Sequence, residues 1–190
     1  MIKYYTSSIL LMQILFTLGW FLLGVPFVEF IGYWVHRLVF HHGVFGSTLR
    51  RPHVQHHLED YPPENLRPLP GTSYKSAADP LWHVIGAVIL TILLVLILSG
   101  TLSLSAGIAL ALGSTLYAKY VVSIMHMQFH LPQSRLRKLS WFQKLVHYHD
   151  VHHYARANYG IVFMGMDRVF GTFQKHLPPQ THNVFPGFKI

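Results

Sequence analysis

The stretch His149-Asp150-Val151-His152-His153 carries three histidines in the pattern H-x-x-H-H, and His53-Val54-Gln55-His56-His57 is a near copy of it upstream. On an α-helix, residues i, i+3 and i+4 share one face, so each box is expected to aim its three imidazoles at a common point. Imidazole is a good ligand for zinc, copper, iron and nickel. Because one box supplies only part of a metal's ligand shell, the pair indicates a shared metal site.

The composition of the chain favours an integral membrane protein of one domain, residues 1–190. Hydrophobic residues make up 51% of the sequence and charged residues only 12%, whereas soluble domains carry ~25% charged residues. The chain has no cysteine, which excludes disulfides, iron–sulfur clusters and thiolate zinc sites. Fifteen histidines are more than solubility or helix propensity requires.

Three long runs with few charges are predicted to be transmembrane helices: residues 9–28 continuing to 40, residues 81–99 and residues 102–123. The last two form a helical hairpin with its turn near residues 99–103. The first run would make ~45 Å of helix, which exceeds a ~30 Å hydrocarbon core. Its helix therefore protrudes from the membrane or bends at Gly24-Val25-Pro26; a two-span hairpin there is a third option. We therefore expect three to four spans.

The second helix of this hairpin is rich in small residues, which let membrane helices approach closely. They are Gly107, Ala109, Ala111, Gly113 and Ser114.

The basic residues indicate which side of the membrane each loop occupies. Eleven of the fifteen Lys and Arg residues lie in residues 50–75 and 135–175, and none lies in the hairpin turn. By the positive-inside rule, segments 41–80 and 124–190 then face the cytoplasm, at a bacterial inner membrane or the endoplasmic reticulum membrane. These segments account for the net charge of +8 without a nucleic-acid partner.

Ten histidines fall into four groups, all on the predicted cytoplasmic side. One ion takes about four to six such ligands, so ten suit two ions. The ten are His36, His41, His53, His56, His57, His126, His130, His149, His152 and His153.

Two of these groups have their own spacing. His126 and His130 are four residues apart and share a helical face. His36 and His41 are five apart and would diverge on a straight helix, so the helix is expected to end or bend between them; His42 is an alternative ligand to His41. The remaining histidines are interpreted as bystanders: His83, His147, His176 and His182.

Several classes of metalloprotein remain to be compared. Histidine-bound first-row metals beside a hydrocarbon phase suit dioxygen activation and oxidation of an unactivated C–H bond. A hydrolytic dizinc site needs a carboxylate base, and only Glu59, Asp60 and Asp150 lie in or beside a box on the loop side. A non-enzymatic metal-binding or transport protein, or a heme-binding cytochrome, would place ionisable ligands inside the spans, where this chain has almost none.

The ordered set of boxes, together with Asn158-Tyr159-Gly160 and the segment Asp167–Thr172, resembles the fatty acid hydroxylase superfamily, which includes sterol desaturases, over residues 29–173. The resemblance implies an all-α integral membrane fold whose three to four transmembrane helices are capped by a cytosolic, helical, histidine-rich dimetal site. It implies that the ten histidines bind two iron ions, which zinc can replace during purification. It also implies an oxygen-dependent hydroxylase of a lipid hydrocarbon chain.

The loop after the second box narrows this implied function. His56–Pro62 followed by Arg67 and further prolines looks most like fatty acid 2-hydroxylases, which favours a fatty acyl substrate. The order Arg67-Pro68-Leu69-Pro70 differs from that family's usual run, so sterol or carotenoid hydroxylases or desaturases stay as alternatives. Because no heme domain is fused to the chain, electrons are expected from a separate ferredoxin, cytochrome b5 or reductase.

Some polar residues are candidates to orient the ligands, since metal-bound histidines usually donate their second N–H to a carboxylate or carbonyl. Glu29 lies two turns before His36, on nearly the same helical face. No catalytic residue is assigned beyond the metal site. The supporting candidates are Glu29, Asp150, Asn158, Tyr159 and Asp167.

Overall fold

The structure is a computed structural model that describes residues 2–68, 74 and 78–178, with side-chain surroundings for residues 8–68, 74 and 85–178. Every regular element in these ranges is helical. The α-helices are α1 (Ile2–Trp34), α2 (Ser47–Gln55), α3 (Ala78–Leu98), α4 (Leu104–Leu116), α5 (Ser123–His130), α6 (Ser140–Tyr154) and α7 (Gly165–Val169). Three π-helical segments adjoin them, namely Val35–His41, His56–Asp60 and Tyr117–Val122, and 3-10 turns lie at Pro63–Asn65 and Arg135–Lys138.

Two helices are long and apolar enough to cross a membrane. One is Ser8–His41, with 34 residues and a mean hydropathy of 2.0, and the other is Leu104–His130, with 27 residues and a mean hydropathy of 1.5. The first helix is continuous through Pro26, so the two-span hairpin considered from the sequence is not formed. α3 is apolar over Ile85–Leu98; the side chains of residues 81–84, where the second predicted span begins, lie outside the described part.

α3 and α4 form the predicted hairpin, with the turn at residues 99–103. Gly100 adopts a positive φ of 73°, a backbone conformation that glycine reaches without strain. Ser103 then caps α4, because its Oγ accepts a hydrogen bond from the Ala106 amide at 3.3 Å. The same turn residues thus end one helix and begin the next.

α1 and α4 approach so closely that their backbones touch. A Cβ added to Gly113 would lie 2.0 Å from the Phe21 carbonyl oxygen, and one added to Gly24 would lie 2.4 Å from the Ser114 amide nitrogen. The small residues predicted to permit close approach therefore meet a glycine of the first helix. This contact fixes the long helix beside the hairpin.

The C-terminal segment packs back onto the end of α1. Phe170 stacks on Tyr33, with ring centroids 5.1 Å apart, and also contacts Trp34 at 4.8 Å. The Thr172 hydroxyl lies within hydrogen-bonding distance of the Tyr33 hydroxyl, at 3.0 Å. The Phe-Gly-Thr tail thus holds the loop after α6 against the helix that carries His36.

We expect Gly113→Ala to lower the thermal unfolding midpoint of the purified protein, because the new methyl group meets backbone that cannot move aside cheaply. Overpacking of this kind costs about 1–3 kcal/mol. Gly19→Ala is the matched control, since a Cβ at Gly19 meets nothing within 4 Å. Equal unfolding midpoints for the two variants would contradict the close contact between α1 and α4.

Candidate metal centre

The ten predicted histidines lie together, where the ends of α1, α2, α5 and α6 meet. Five of them form one group, within which the possible ligand atoms lie within 4.8 Å of one another, and four form a second group by the same measure. The first group is His36, His41, His53, His57 and His152, and the second is His56, His126, His130 and His149. The sequence predicted ten histidines for two ions, and the structure places nine of these histidines in two adjacent groups.

His153 lies between the two groups. Its ring stacks on His57 of the first group with a centroid separation of 4.0 Å, and it lies 4.8 Å from His149 of the second. It is buried, and its Nε2 has no hydrogen-bond partner among the described residues. The tenth histidine is thus placed to serve either group.

Each H-x-x-H-H box is divided between the groups, which differs from the expectation that one box aims at one point. His53 and His57 join the first group while His56 joins the second. In the other box, His152 joins the first group and His149 the second. Adjacent helical residues point about 100° apart, which accounts for the different directions of His56 and His57. Both boxes consequently connect the two groups.

His36 and His41 come together without the helix end or bend that their spacing predicted. The helix instead widens into the π-helical segment Val35–His41, in which the backbone bonds run from i to i+5. Residues five apart then lie one above the other, and the two rings are 5.0 Å apart. The other two π-helical segments begin at His56 and end four residues before His126, so each lies at or beside a histidine group.

The other histidines lie outside the two groups where they are described. His42 is exposed, and its Nδ1 contacts the Arg37 carbonyl at 2.6 Å; the buried His41 takes the place in the group. His147 donates to the Lys175 carbonyl at 2.7 Å, and His176 is exposed. The side chain of His83 and all of His182 lie outside the described residues.

Backbone carbonyls fix the orientation of four rings in the two groups and beside them. Because a carbonyl only accepts, the bonded Nδ1 carries the proton, and the lone pair is left on Nε2. The four Nδ1···O distances are 2.7 Å from His36 to Tyr159, 2.8 Å from His152 to Ala157, 3.0 Å from His130 to Leu66 and 2.9 Å from His153 to Tyr61.

The distances between facing Nε2 atoms fit ligands of a shared metal ion. His53 Nε2 lies 3.0 Å from Nε2 of both His36 and His41, and its single hydrogen cannot point at both. In the second group, Nε2 of His149 and His130 are also 3.0 Å apart. Two nitrogens ~2.1 Å from one ion and at right angles to each other would be separated by ~3.0 Å. The donor set therefore fits a metal in each group.

Burial keeps these imidazoles neutral, which is the form that binds metals. Burial, followed by the neighbouring His153, lowers the pKa of His57 well below its ordinary value. Burial likewise lowers the pKa of His149 well below that value and the pKa of His152 to about 4. Both nitrogens of the fully buried His56 lack a hydrogen-bond partner within the described ranges, which also suits a metal ligand.

Asp167 organises the loop that orients His36. Its Oδ1 accepts from the Tyr159 amide at 2.6 Å and from the Thr172 hydroxyl at 2.7 Å, and its Oδ2 accepts from the Gly160 amide at 2.7 Å. Burial raises the pKa of this carboxyl, and these hydrogen bonds oppose the rise. Asp167 therefore acts on His36 through the Tyr159 carbonyl, and its partners are groups of the loop.

Asn158 and Tyr159 have different places in this loop. Asn158 has a positive φ of 54°, which asparagine tolerates better than most residues. Its side-chain amide donates to the Tyr148 and Gln174 carbonyls at 3.0 and 2.9 Å, so it shapes the turn. The Tyr159 ring lies 5.1 Å from the His41 ring and therefore lines the first group.

Asp150 does not support a histidine directly. Both its carboxylate oxygens accept from Arg67, at 2.5 and 2.6 Å, and burial raises its pKa while the arginine opposes the shift. Arg67 follows Leu66, whose carbonyl accepts from His130. The ion pair consequently joins α6 to the loop that orients His130. Asp150 therefore acts on His130 indirectly, whereas the sequence led us to expect a direct contact with a histidine.

Glu29 also contacts groups other than His36. Its carboxylate accepts from the Tyr117 hydroxyl at 2.5 Å and from the Phe163 amide at 3.4 Å. Both nitrogens of His36 are occupied, one by the Tyr159 carbonyl and one facing His53, so no position is left for Glu29. The carboxylate instead joins α1 to the π-helical segment after α4 and to the C-terminal loop.

The groups that orient His130, His152 and His153 were not predictable from side-chain patterns, because they are backbone carbonyls and carry no side-chain signature. The prolines near two of these carbonyls were the available signal, since proline restricts the backbone: Pro62 follows Tyr61, and Pro63 and Pro68 lie on either side of Leu66. Tyr74 was also missed; its hydroxyl lies 2.8 Å from Nδ1 of His126.

A family model described as fatty acid hydroxylase matches residues 21–172, which is most of the chain. A search of curated proteins and a search of solved structures each gave no match. The match confirms the superfamily resemblance and implies an oxygenase of a typically iron-dependent, membrane-associated family. The nearer resemblance to 2-hydroxylases stays a prediction.

We expect iron-replete purified protein to contain about two metal ions per chain, one for each histidine group. His152→Ala removes a ligand of the first group and His149→Ala one of the second, so each variant should retain about one ion. Elemental analysis by inductively coupled plasma mass spectrometry measures the content. His147→Ala, in the same helix but bonded to Lys175, should bind as much metal as the wild type; a loss there would indicate a general effect of altering α6.

Asp167→Asn should release metal faster and unfold at lower temperature, because the amide side chain replaces one of the acceptor oxygens and leaves a buried donor unpaired. Such a loss costs about 1–3 kcal/mol. The release rate to a chelator and the unfolding midpoint are the measurements. Glu64→Gln is the control, as it makes the same change at an exposed carboxylate. If Asp167→Asn released metal at the same rate as Glu64→Gln, Asp167 would not help to hold His36 in place.

Proposed function

This chain belongs to the fatty acid hydroxylase family, and from that premise we propose that it is a membrane-bound, oxygen-dependent hydroxylase of a fatty acyl or acyl-lipid chain with two iron ions. The observation that carries the proposal is the pair of histidine groups, whose Nε2 atoms face one another at about 3.0 Å in a buried site. Such a donor set binds first-row metals that react with dioxygen.

Bound iron supplies the redox chemistry that imidazole and carboxylate side chains lack. The overall reaction inserts one oxygen atom of O2 into a C–H bond to give an alcohol, while the other oxygen atom becomes water. Two electrons and two protons balance it. The 190 residues contain no cysteine to hold an iron–sulfur cluster, and a separate ferredoxin, cytochrome b5 or reductase is proposed to donate the electrons.

The protein's own groups hold and orient the metals. His36, His41, His53, His57 and His152 would bind one ion, and His56, His126, His130 and His149 the other, with His153 between them. Carbonyl acceptors fix four of these rings, and a fixed ring pays less entropy on binding. Nine of the ten side chains are buried, which limits the access of water to a reactive oxidant.

The position of the site relative to the membrane supports a lipid substrate. The helices Ser8–His41 and Leu104–His130 are apolar and each ends at a histidine of the centre. We propose that these helices span the membrane and that the centre lies at its cytoplasmic face, because both H-x-x-H-H boxes belong to the basic segments 50–75 and 135–175 of the sequence. A hydrocarbon chain then reaches the metals from the bilayer without crossing water.

The test compares lipid extracts from cells that express the wild-type chain with extracts from cells that express His152→Ala. Mass spectrometry should find a lipid one oxygen atom heavier than its precursor in the wild-type extract alone. His147→Ala is the matched control and should give the same product as the wild type.

Identical lipids in all three extracts, at equal expression, would contradict hydroxylation of host lipids. A product two hydrogen atoms lighter than its precursor would show that the reaction is desaturation and not hydroxylation.

A further inference from the structure

A mostly apolar groove of about 330 Å³ lies between α3 and the helix formed by α4, the π-helical segment Tyr117–Val122 and α5. Its lining includes Ile85, Ile89 and Leu90 on one side and Ala111, Lys119 and Ser123 on the other. The stretch from residue 111 to residue 123 covers ~18 Å of helix. The groove is therefore long and narrow, as an extended hydrocarbon chain requires.

The charge in the groove lies at one end. Lys119 is the one charged residue among those that line it, and the hydroxyls of Ser114 and Thr115 are the polar groups between it and Ala111. Ser123, the last lining residue, begins α5 and precedes His126 by one turn on the same helical face. The charged end is thus the end nearer to the metal centre.

The histidine groups are most exposed at His126. Of the ten histidines, His126 alone is partly exposed, while the other nine are buried. His126 is not among the residues that line the groove, but it follows the last lining residue, Ser123, by one turn of α5. The most exposed of the ten histidines and the end of the groove therefore both belong to the first turn of α5.

We propose that this groove binds the hydrocarbon chain of a long-chain fatty acyl substrate, with the carboxyl or carbonyl end at Lys119 and the methyl end between Leu90 and Ala111. The proposal rests on the proposed function and adds the binding site and the orientation of the substrate. A cation suits an acyl carboxylate or carbonyl oxygen, and the apolar walls suit the chain.

This orientation predicts where the chain is oxidised. With the carbonyl at Lys119, about 10 Å of helix before His126, the carbons next to the carbonyl are the part of the chain nearest to the metal centre, and the methyl end lies farthest from it. Oxidation is therefore expected close to the carbonyl end and not at the methyl end of the chain. Substrates whose polar group is at neither end do not fit a groove of this shape, and neither do substrates with a bulky ring system.

The test uses the purified full chain in detergent and a long-chain fatty acid with a diazirine at its methyl end. After photolysis, peptide mapping by mass spectrometry should find the label near Leu90 and Ala111. Gly86 lines the groove, and a Cβ there meets nothing within 4 Å. The leucine side chain of Gly86→Leu therefore fills part of the groove, and overfilling such a space costs about 1–3 kcal/mol. This variant should reduce the labelling about tenfold. Gly19→Leu makes the same change on open α1 surface and should label as the wild type does.

Lys119 is tested with the same probe. Unlabelled fatty acid competes with the probe for the groove. In Lys119→Ala this competition should be weaker by roughly two- to fivefold, which is the contribution of an exposed ion pair. In Lys119→Arg the competition should equal that in the wild type. The fatty alcohol of equal length lacks the carboxylate, so its competition should be the same in all three proteins.

These outcomes separate the inference from the proposed function, because labelling does not require turnover. Label found near Leu90 and Ala111 and lost in Gly86→Leu supports the groove even if no lipid is oxidised. Equal labelling of Gly86→Leu and Gly19→Leu, or label confined to α1, overturns it even if the enzyme is active. A product hydroxylated at the methyl end overturns the proposed orientation.

Discussion

The arrangement of this chain depends on bringing ten imidazoles into a buried space where their nitrogen lone pairs face one another. Without a cation, two lone pairs at 3.0 Å repel, and burial makes protonation of the rings costly. A metal ion removes both problems at once, since it attracts the lone pairs and replaces the lost hydration. The fold therefore has to hold histidines from distant parts of the sequence at fixed positions.

Two features of the helices meet this demand. A π-helical turn places His36 over His41, and another precedes His126 and His130 of the second group. Close contact at Gly24 and Gly113 fixes the long first helix beside the hairpin. Outside the ligands, the loop after α6 and the loop before Pro68 present carbonyls to the rings. Asp167 holds one of these loops and the ion pair of Arg67 with Asp150 holds the other.

Much of this arrangement follows from the sequence, for reasons that particular residues make clear. The ten histidines were predicted as ligands because imidazole was in excess and its spacing matched helical turns, and the structure brings nine of them into two adjacent groups with His153 between the groups. The close helix contact was expected from the small residues around Gly113. The turn at residues 99–103 was expected because glycine and polar residues interrupt an apolar run there.

Other features were not visible in the sequence because they depend on three-dimensional contacts. Nothing in the spacing of His36 and His41 distinguishes a bend from a π-helical turn, and the latter depends on backbone hydrogen bonds. The division of each box between two groups required the positions of neighbouring helices. Glu29 was placed near His36 by helical periodicity, but Tyr117, which bonds it, comes from a helix 88 residues away in sequence.

We propose that the two histidine groups each hold one iron ion. Anomalous diffraction from crystals of iron-replete protein, recorded on both sides of the iron absorption edge, tests this directly. Two anomalous peaks are expected, one surrounded by the group that contains His53 and one by the group that contains His130. A single peak, or peaks outside these groups in protein that contains iron, would contradict it.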